Sequence, residues 1–180
     1  MNYWRDKFSR LVRSMAGLVR QRNTILEELQ QSYRLLPAPE RKQEVDYMVV
    51  VRRLRLLFPG AVIVPRLHKY PLYELREWQC LLRTDATEKM SYDPDRWRCG
   101  QYSAALAGAG IRAGWPMGEV FGETSRGTPH VLNVFPVVPP WHFGFVDQCP
   151  YSNRADYGLT EDRDEIVFVC PVVKVYLVIL

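Results

Sequence analysis

The chain has 180 residues, 47% of them hydrophobic and 24% charged, a balance that excludes an intrinsically disordered polypeptide and allows one domain with a real core plus an extra element. No apolar run reaches the roughly 20 residues of a membrane-spanning helix, and no small-residue cleavage site follows an apolar core near the N-terminus, so a cytoplasmic location with reduced thiols is expected. The net charge of +4 comes entirely from residues 1–57, which hold 12 Lys and Arg against 6 Asp and Glu. Acidic residues are interspersed there, so the segment reads as solvated helix faces, and nucleic acid is not expected as a partner.

In chain order, Trp4, Phe8, Leu11, Met15, Leu18, Ile25, Leu29, Tyr33 and Leu36 recur in steps of three and four, with Arg22 as one interruption. That stripe predicts an amphipathic helix approaching a heptad seam. Pro37 and Pro39 end it. A second helix is expected from about Glu40 to Phe58, with Val45, Met48, Val49 and Leu56 on one face, stopped by Pro59–Gly60. Together they would make a helical hairpin over residues 1–60, a packing or oligomerisation element through which the protein would form a homo-oligomer. "AVIV" reads as a short strand, and Pro65 and Pro71 argue for irregular chain after it. "LYELREWQCLLR" has helical spacing, with Cys80 expected in the core.

A polar loop then leads to Cys99, which opens the helix "GQYSAALAGAG", expected to end at Gly108 and Gly110. Beyond it the pattern turns to strands: "MGEVFGE", "HVLNVFPVV" and "WHFGFVD". After a long polar loop, "IVFVCPVVKVYLVIL" reads as one bulged strand or two. Helices first and an antiparallel run of strands after them is an α+β layout, with residues 61–180 as the main domain.

None of the four cysteines, at 80, 99, 149 and 170, forms a C-x-x-C pair, which argues against a zinc ribbon or a dithiol redox site. Cys99 is the chemically interesting one. A thiolate is the reactive form, and a helix N-terminus and a neighbouring imidazole both favour it. His130 stands at the expected start of a strand and Asp147 at the end of the next. If those strands are antiparallel neighbours, the two residues share one sheet edge. A helix aimed at that edge would bring Cys99 to the imidazole. Each residue taken singly reads as structural: free cysteine is often buried, and a lone His or Asp is an ordinary cap or turn residue. His68 and His142 lack partners at ligand spacing, so no metal site is expected. Asp85 and Thr87 read as loop-fixing residues. No cofactor is expected, although an Asp-lined loop also suits a cation such as calcium.

The run "LLRTDATEKMSYDPDRWRCGQYSAALAGAGIRAG…HVLNVF…FGFVD" resembles bacterial transglutaminase-like domains of the papain-like cysteine protease superfamily, and is similar to the agglutinin C-terminal protease domain of fungal lectins. The resemblance covers about residues 75–150, says nothing of residues 1–60, and implies a papain-like/transglutaminase-like core behind the helical hairpin, with a Cys-bearing helix on an antiparallel sheet. It implies Cys99 as nucleophile, His130 as general base and acid, and Asp147 as the residue orienting His130. It also implies an oxyanion hole of the Cys99 N–H with a second donor from Trp97, Gln79 or Tyr92. Two departures are Gly100 directly after the cysteine and Cys149 two residues after Asp147, a second thiol or a loop filler. The expected function is a hydrolase, a thiol protease or amidase that cleaves a protein or peptide substrate through an acyl-enzyme, or passes the acyl group to an amine. The alternative is a non-catalytic assembly or adaptor protein working through residues 1–60.

Overall fold

The computed structural model describes residues 43–87, 99–138, 141–149 and 162–180. The expected helix from Trp4 to Leu36, its proline turn, and Tyr92 and Trp97 lie outside the described residues. The chain divides into two compact units, Met1–Leu35 and Leu36–Leu180, and the described residues all belong to the second.

The segment expected as a helix from Glu40 to Phe58 begins instead as a strand. β1 (Gln43–Asp46) pairs antiparallel with β3 (Lys69–Glu74), Gln43 opposite Leu72 and Asp46 opposite Lys69. Helix α1 (Tyr47–Leu57) starts only after Asp46, whose carboxylate accepts from the Met48 N–H at 2.8 Å. That N-cap satisfies one of the donors left open at a helix start and fixes the strand-to-helix switch. Long-range pairing with β3 overrides the helical spacing of Val45. Val50 and Leu54, one turn apart, carry the buried face of α1.

Strand β3 runs straight through Pro71, in a stretch expected to be irregular. Proline is tolerated where a backbone N–H is not needed by the ladder. Helix α2 (Leu75–Thr84) follows at once, because Glu74 and Glu77 form a reciprocal capping box in which the Glu74 N–H donates to Glu77 Oε2 at 2.7 Å. Its buried positions are Trp78, Leu81 and Leu82. Cys80, expected in the core, is exposed, since it falls about 200° from Trp78 around the helix.

Strand β2 (Val62–Val64) precedes β3, and helix α3 (Cys99–Arg112) precedes β4 (Gly118–Glu123), β5 (Pro129–Val138), β6 (His142–Val146) and β7 (Lys174–Ile179). Helix α3 passes through Gly108 and Gly110 instead of ending there. Gly110 is a packing residue: a Cβ there would lie 3.2 Å from the Met117 Cβ. The chain turns away only after Arg112, at Gly114 with φ of 91°.

The strands form one seven-stranded sheet in the order β1-β3-β5-β4-β7-β2, with β6 paired to β5, and it curls as a half-barrel. β3 with β5 and β2 with β7 are parallel, so the sheet is mixed. The expected fold, a helical hairpin plus a papain-like or transglutaminase-like core on an antiparallel sheet, is therefore corrected. The described architecture is mostly sheet, with three helices, and residues 43–57 belong to it as β1 and α1. Parallel pairs join segments far apart in sequence, which local patterning does not register.

Ten-residue β5 is the hub, and its side chains alternate between two cores. Leu132 and Val134 enter one with Val50, Leu54, Tyr70, Val120, Phe145 and Val178. Phe135 enters the other, stacked on Trp78 with ring centroids 4.2 Å apart, and Trp115 lies 4.9 Å from Trp78. The Trp78 Nε1–H donates to the Pro136 carbonyl at 2.9 Å. Each large side chain so buried contributes roughly 1.5–3 kcal/mol. No helix among the described residues is long and apolar enough to cross a membrane.

Candidate active site

β5 and β6 are antiparallel, and their ladder ends at the pair Asn133–Val146. Asp147 is the first residue beyond that end of β6, and His130 is the second residue of β5. The His130 Nε2 and the Asp147 Oδ2 meet at 3.0 Å, both side chains buried. A carboxylate only accepts, so Nε2 carries the hydrogen and Nδ1 is the ring nitrogen left for another partner. The Cys99 thiol, on the first residue of α3, lies close enough to the His130 ring to interact with it.

The sulfur also accepts from the backbone N–H of Val131, which lies past the last β5–β6 pair. Helix α3 packs on β5 and β4, so its N-terminus sits at the edge where β6 stops. The structure thus brings Cys99, His130 and Asp147 into one hydrogen-bonded line.

Electrostatics follow from this line. For Cys99, burial is the largest influence and opposes ionisation. The His130 hydrogen bond and charge, with the Val131 N–H, outweigh it, so the thiol is held below its ordinary value. For His130, burial again is largest and opposes the charged form. The Asp147 and Cys99 hydrogen bonds and charges outweigh it and raise the imidazole to about 9. Both shifts favour a thiolate–imidazolium pair near neutral pH. Cys170 is the contrast, with burial pushing its thiol up to about 11.

A second layer holds the acid in place. The other Asp147 oxygen, Oδ1, accepts from the Cys149 N–H at 3.0 Å, a local turn that fixes the carboxylate plane. Cys149 is buried and serves Asp147 through its backbone. Gln148 is buried too, and its Nε2 donates to the Arg163 carbonyl at 3.1 Å, tying the 147–149 segment to residues 162–164. Sequence reasoning missed Gln148, because a glutamine between strand and loop carries no local signal.

Gln79 stands half-buried on α2, and no hydrogen bond joins it to Cys99, His130 or Asp147. Among the described residues, the Cys99 and Gly100 N–H groups at the start of α3 have no partner within the helix and suit a developing oxyanion. A Cβ at Gly100 would meet only Val131 Cγ2, at 3.8 Å, so that glycine is not required for a close approach. Asp85 and Thr87 are buried, and the Thr87 N–H donates to Asp85 Oδ2 at 2.8 Å, the expected loop-fixing turn. Burial, with the nearby Asp164 charge, raises the Asp85 pKa. Among the described residues no group of three or more His, Cys, Asp or Glu side chains is placed to hold a metal ion. His68 and His142 are exposed and stand away from the site, in edge contact with Tyr47 and Phe168.

No family model matches the chain, and no curated protein matches it. Among solved structures it is similar to the "PSL1a-E64 complex", at 13% identity and a TM-score of 0.59 over 78% of this chain and 52% of that one. It is also similar to the Polyporus squamosus lectin bound to the human-type influenza-binding epitope Neu5Aca2-6Galb1-4GlcNAc, at 12% identity and a TM-score of 0.60 over 78% and 50%. The chain spans about half the length of either structure. At such identities the likeness is one of fold. It overturns the transglutaminase-like and papain-like assignment drawn from the sequence, and with it the labels hydrolase, cysteine protease and thiol protease that came with it. The second of these structures is described as a lectin, and neither description names a transglutaminase-like protein.

Proposed function

We propose that the protein is a cysteine-dependent acyl-transfer enzyme acting on an amide or activated ester carbonyl. The observation that carries this reading is the hydrogen-bonded line Cys99–His130–Asp147, with the thiol lowered and the imidazole raised to about 9. The Cys99 thiolate attacks the carbonyl carbon, and the carbonyl oxygen becomes an oxyanion facing the N–H groups that open α3. The His130 imidazolium gives its Nδ1 proton to the leaving amine, the C–N bond breaks, and an S-acyl Cys99 remains. His130, now neutral, takes a proton from the acceptor, water or an amine, as it attacks the thioester and releases the Cys99 thiolate. Asp147 holds the Nε2–H throughout and stabilises each imidazolium stage. Proton transfer of this kind contributes typically ~10²–10⁴-fold.

The direct experiment is single-turnover acylation with p-nitrophenyl acetate, followed by peptide mass mapping. A burst of p-nitrophenol with the acetyl group on the Cys99 peptide is expected, lost in Cys99→Ala and His130→Ala. If Cys99 acylates no faster than exposed Cys80, or the burst survives Cys99→Ala, the reading fails. E64, named in the complex of the similar structure, is a second probe: its epoxide would be opened by a thiolate, so attachment to Cys99 is expected.

The second reading is carbohydrate recognition, favoured by the lectin structure described with a bound sialylated trisaccharide. Titration with that trisaccharide decides it, since saturable binding unaffected by Cys99→Ala would support recognition apart from the thiol.

A further inference from the structure

Asn133 is the one polar residue in the apolar run of β5 and is fully buried. Its Nδ2 donates to the Ser103 carbonyl at 2.8 Å and to the Gly118 carbonyl at 3.2 Å. Ser103 lies one turn along α3 from Cys99. Asn133 itself lies three residues along β5 from His130, and Gly118 is the first residue of β4. One amide group therefore fastens the helix that carries the thiol to the strand that carries the imidazole, and both to the neighbouring strand.

Beyond the Cys99 contacts with His130 and Val131 at the very start of the helix, helix and strand meet here through small and apolar groups, such as Gly100 near Val131. These fill space but leave sliding along the helix axis weakly resisted, because dispersion is non-directional. Two hydrogen bonds from one planar amide fix the register. Burying that amide is otherwise costly, and an apolar residue of similar volume would suit the core better.

We infer that Asn133 is a positioning residue that sets the Cys99–His130 contact by locking the register of α3 on β5. Its catalytic consequence rests on the acyl-transfer reading, but its effect on the thiol does not. A shift of helix against strand lengthens the hydrogen bond that lowers the Cys99 pKa, so the thiol relaxes toward its ordinary value.

The test is the pH profile of iodoacetamide alkylation at Cys99, read by peptide mapping, in Asn133→Ala and in Asn133→Ser, which keeps one short donor. Trp78→Phe serves as the control, because it removes a buried hydrogen bond of similar kind elsewhere on β5. The expected result is an upward move of the Cys99 inflection in Asn133→Ala, with the rate at pH 6 falling about tenfold per unit moved. Asn133→Ser should move it less, and Trp78→Phe should lose stability with the inflection unchanged. An Asn133→Ala inflection at the wild-type position, with stability reduced as in Trp78→Phe, would overturn the inference and leave Asn133 a structural residue only. The readout needs no substrate, so it separates from the acyl-transfer reading. A shifted inflection without ester acylation in the wild type sinks acyl transfer and keeps the positioning role.

Discussion

His130 and Asp147 are 17 residues apart in sequence, yet their side chains meet at 3.0 Å because β5 and β6 are antiparallel and stop pairing just before them. The Asp147 carboxylate has two tasks there, with Oδ2 on the His130 ring and Oδ1 on the Cys149 N–H. Asp147→Asn supplies one oxygen where two are used. Either the ring faces an amide NH₂, which favours the wrong tautomer, or the Cys149 N–H loses its acceptor. The charge that raises His130 is lost in either case. The expected outcome is a His130 pKa well below about 9 by NMR titration of the imidazole, with Cys99 acylation slowed ~10²-fold or more. An unmoved His130 titration would remove Asp147 from the site.

The opposed shifts of Cys99 and His130 set a pH signature. Cys99 is lowered and His130 is raised. Alkylation should therefore rise through a pKa below that of an ordinary thiol and change again near about 9, where the imidazolium is lost. Stability follows by linkage. A raised imidazole stabilises the fold fully below its unfolded value of about 6.5, and that stabilisation is lost as pH rises through about 9. A lowered thiol works oppositely: its stabilisation is present above the ordinary thiol value and lost as pH falls through the folded one. In the window above about 6.5 where the folded thiol is ionised and the unfolded one is not, folding takes up a proton on His130 and releases one from Cys99, so the net change is near zero. Wild-type melting temperature should then be flat across that window. In Cys99→Ala only the His130–Asp147 part remains, and the melting temperature should fall as pH rises above about 6.5. Parallel profiles for the two proteins would count against the ion pair.

The adjacency of Cys99, His130 and Asp147 was legible because its signal is order along the chain: a cysteine opening a helix, a histidine opening a strand, an aspartate closing the next. Antiparallel neighbours place such positions side by side without further information. The fold was less legible. Val45 belongs to a helix-like spacing but pairs through Tyr70, and Pro71 marked a real strand as irregular. Both outcomes were decided by residues distant in sequence, as were the parallel pairs β2–β7 and β3–β5. Some misses had a local remedy. The wheel position of Cys80 relative to Trp78, Leu81 and Leu82 already turns it outward. Asn133, an amide amid Val, Leu and Phe, stood out in "HVLNVF" but had no partner until α3 and β4 were in place.

Two glycines flanking the site should respond in opposite ways. Gly100, in the first turn of α3, has room for a methyl group against Val131 Cγ2 at 3.8 Å. Gly100→Ala at a helical backbone should stabilise by about 0.4–1 kcal/mol, chiefly by restricting the unfolded chain, and leave Cys99 alkylation intact. Gly122 pairs with His130 on β4, and a Cβ there would collide with the Lys174 carbonyl and the Val172 side chain. Backbone cannot step aside as a flexible side chain can, so Gly122→Ala should disrupt β4–β7 pairing and lower the denaturation midpoint sharply. Urea melts of the two variants beside wild type check both signs, and a stable Gly122→Ala would show that the sheet yields there.

The stacked Trp78 tests how far the second core supports the site. Its ring touches Phe135, Trp115 and Tyr73, and its Nε1–H satisfies the Pro136 carbonyl. Trp78→Phe keeps most of the apolar contact but leaves that carbonyl unpaired, a cost of ~1–3 kcal/mol. Trp78→Ala adds a cavity and should cost about 3–5 kcal/mol. Phe135 and Pro136 follow Asn133 on the same strand, but the dyad lies at its other end, around His130. The strand is braced between them by its ladders to β4 and β6. Loss of the Trp78 hydrogen bond should therefore appear as a lower urea midpoint with Cys99 reactivity unchanged in the folded protein. A Trp78→Phe variant that alters the Cys99 alkylation profile would show instead that strain in the aromatic core travels along β5 to the thiol.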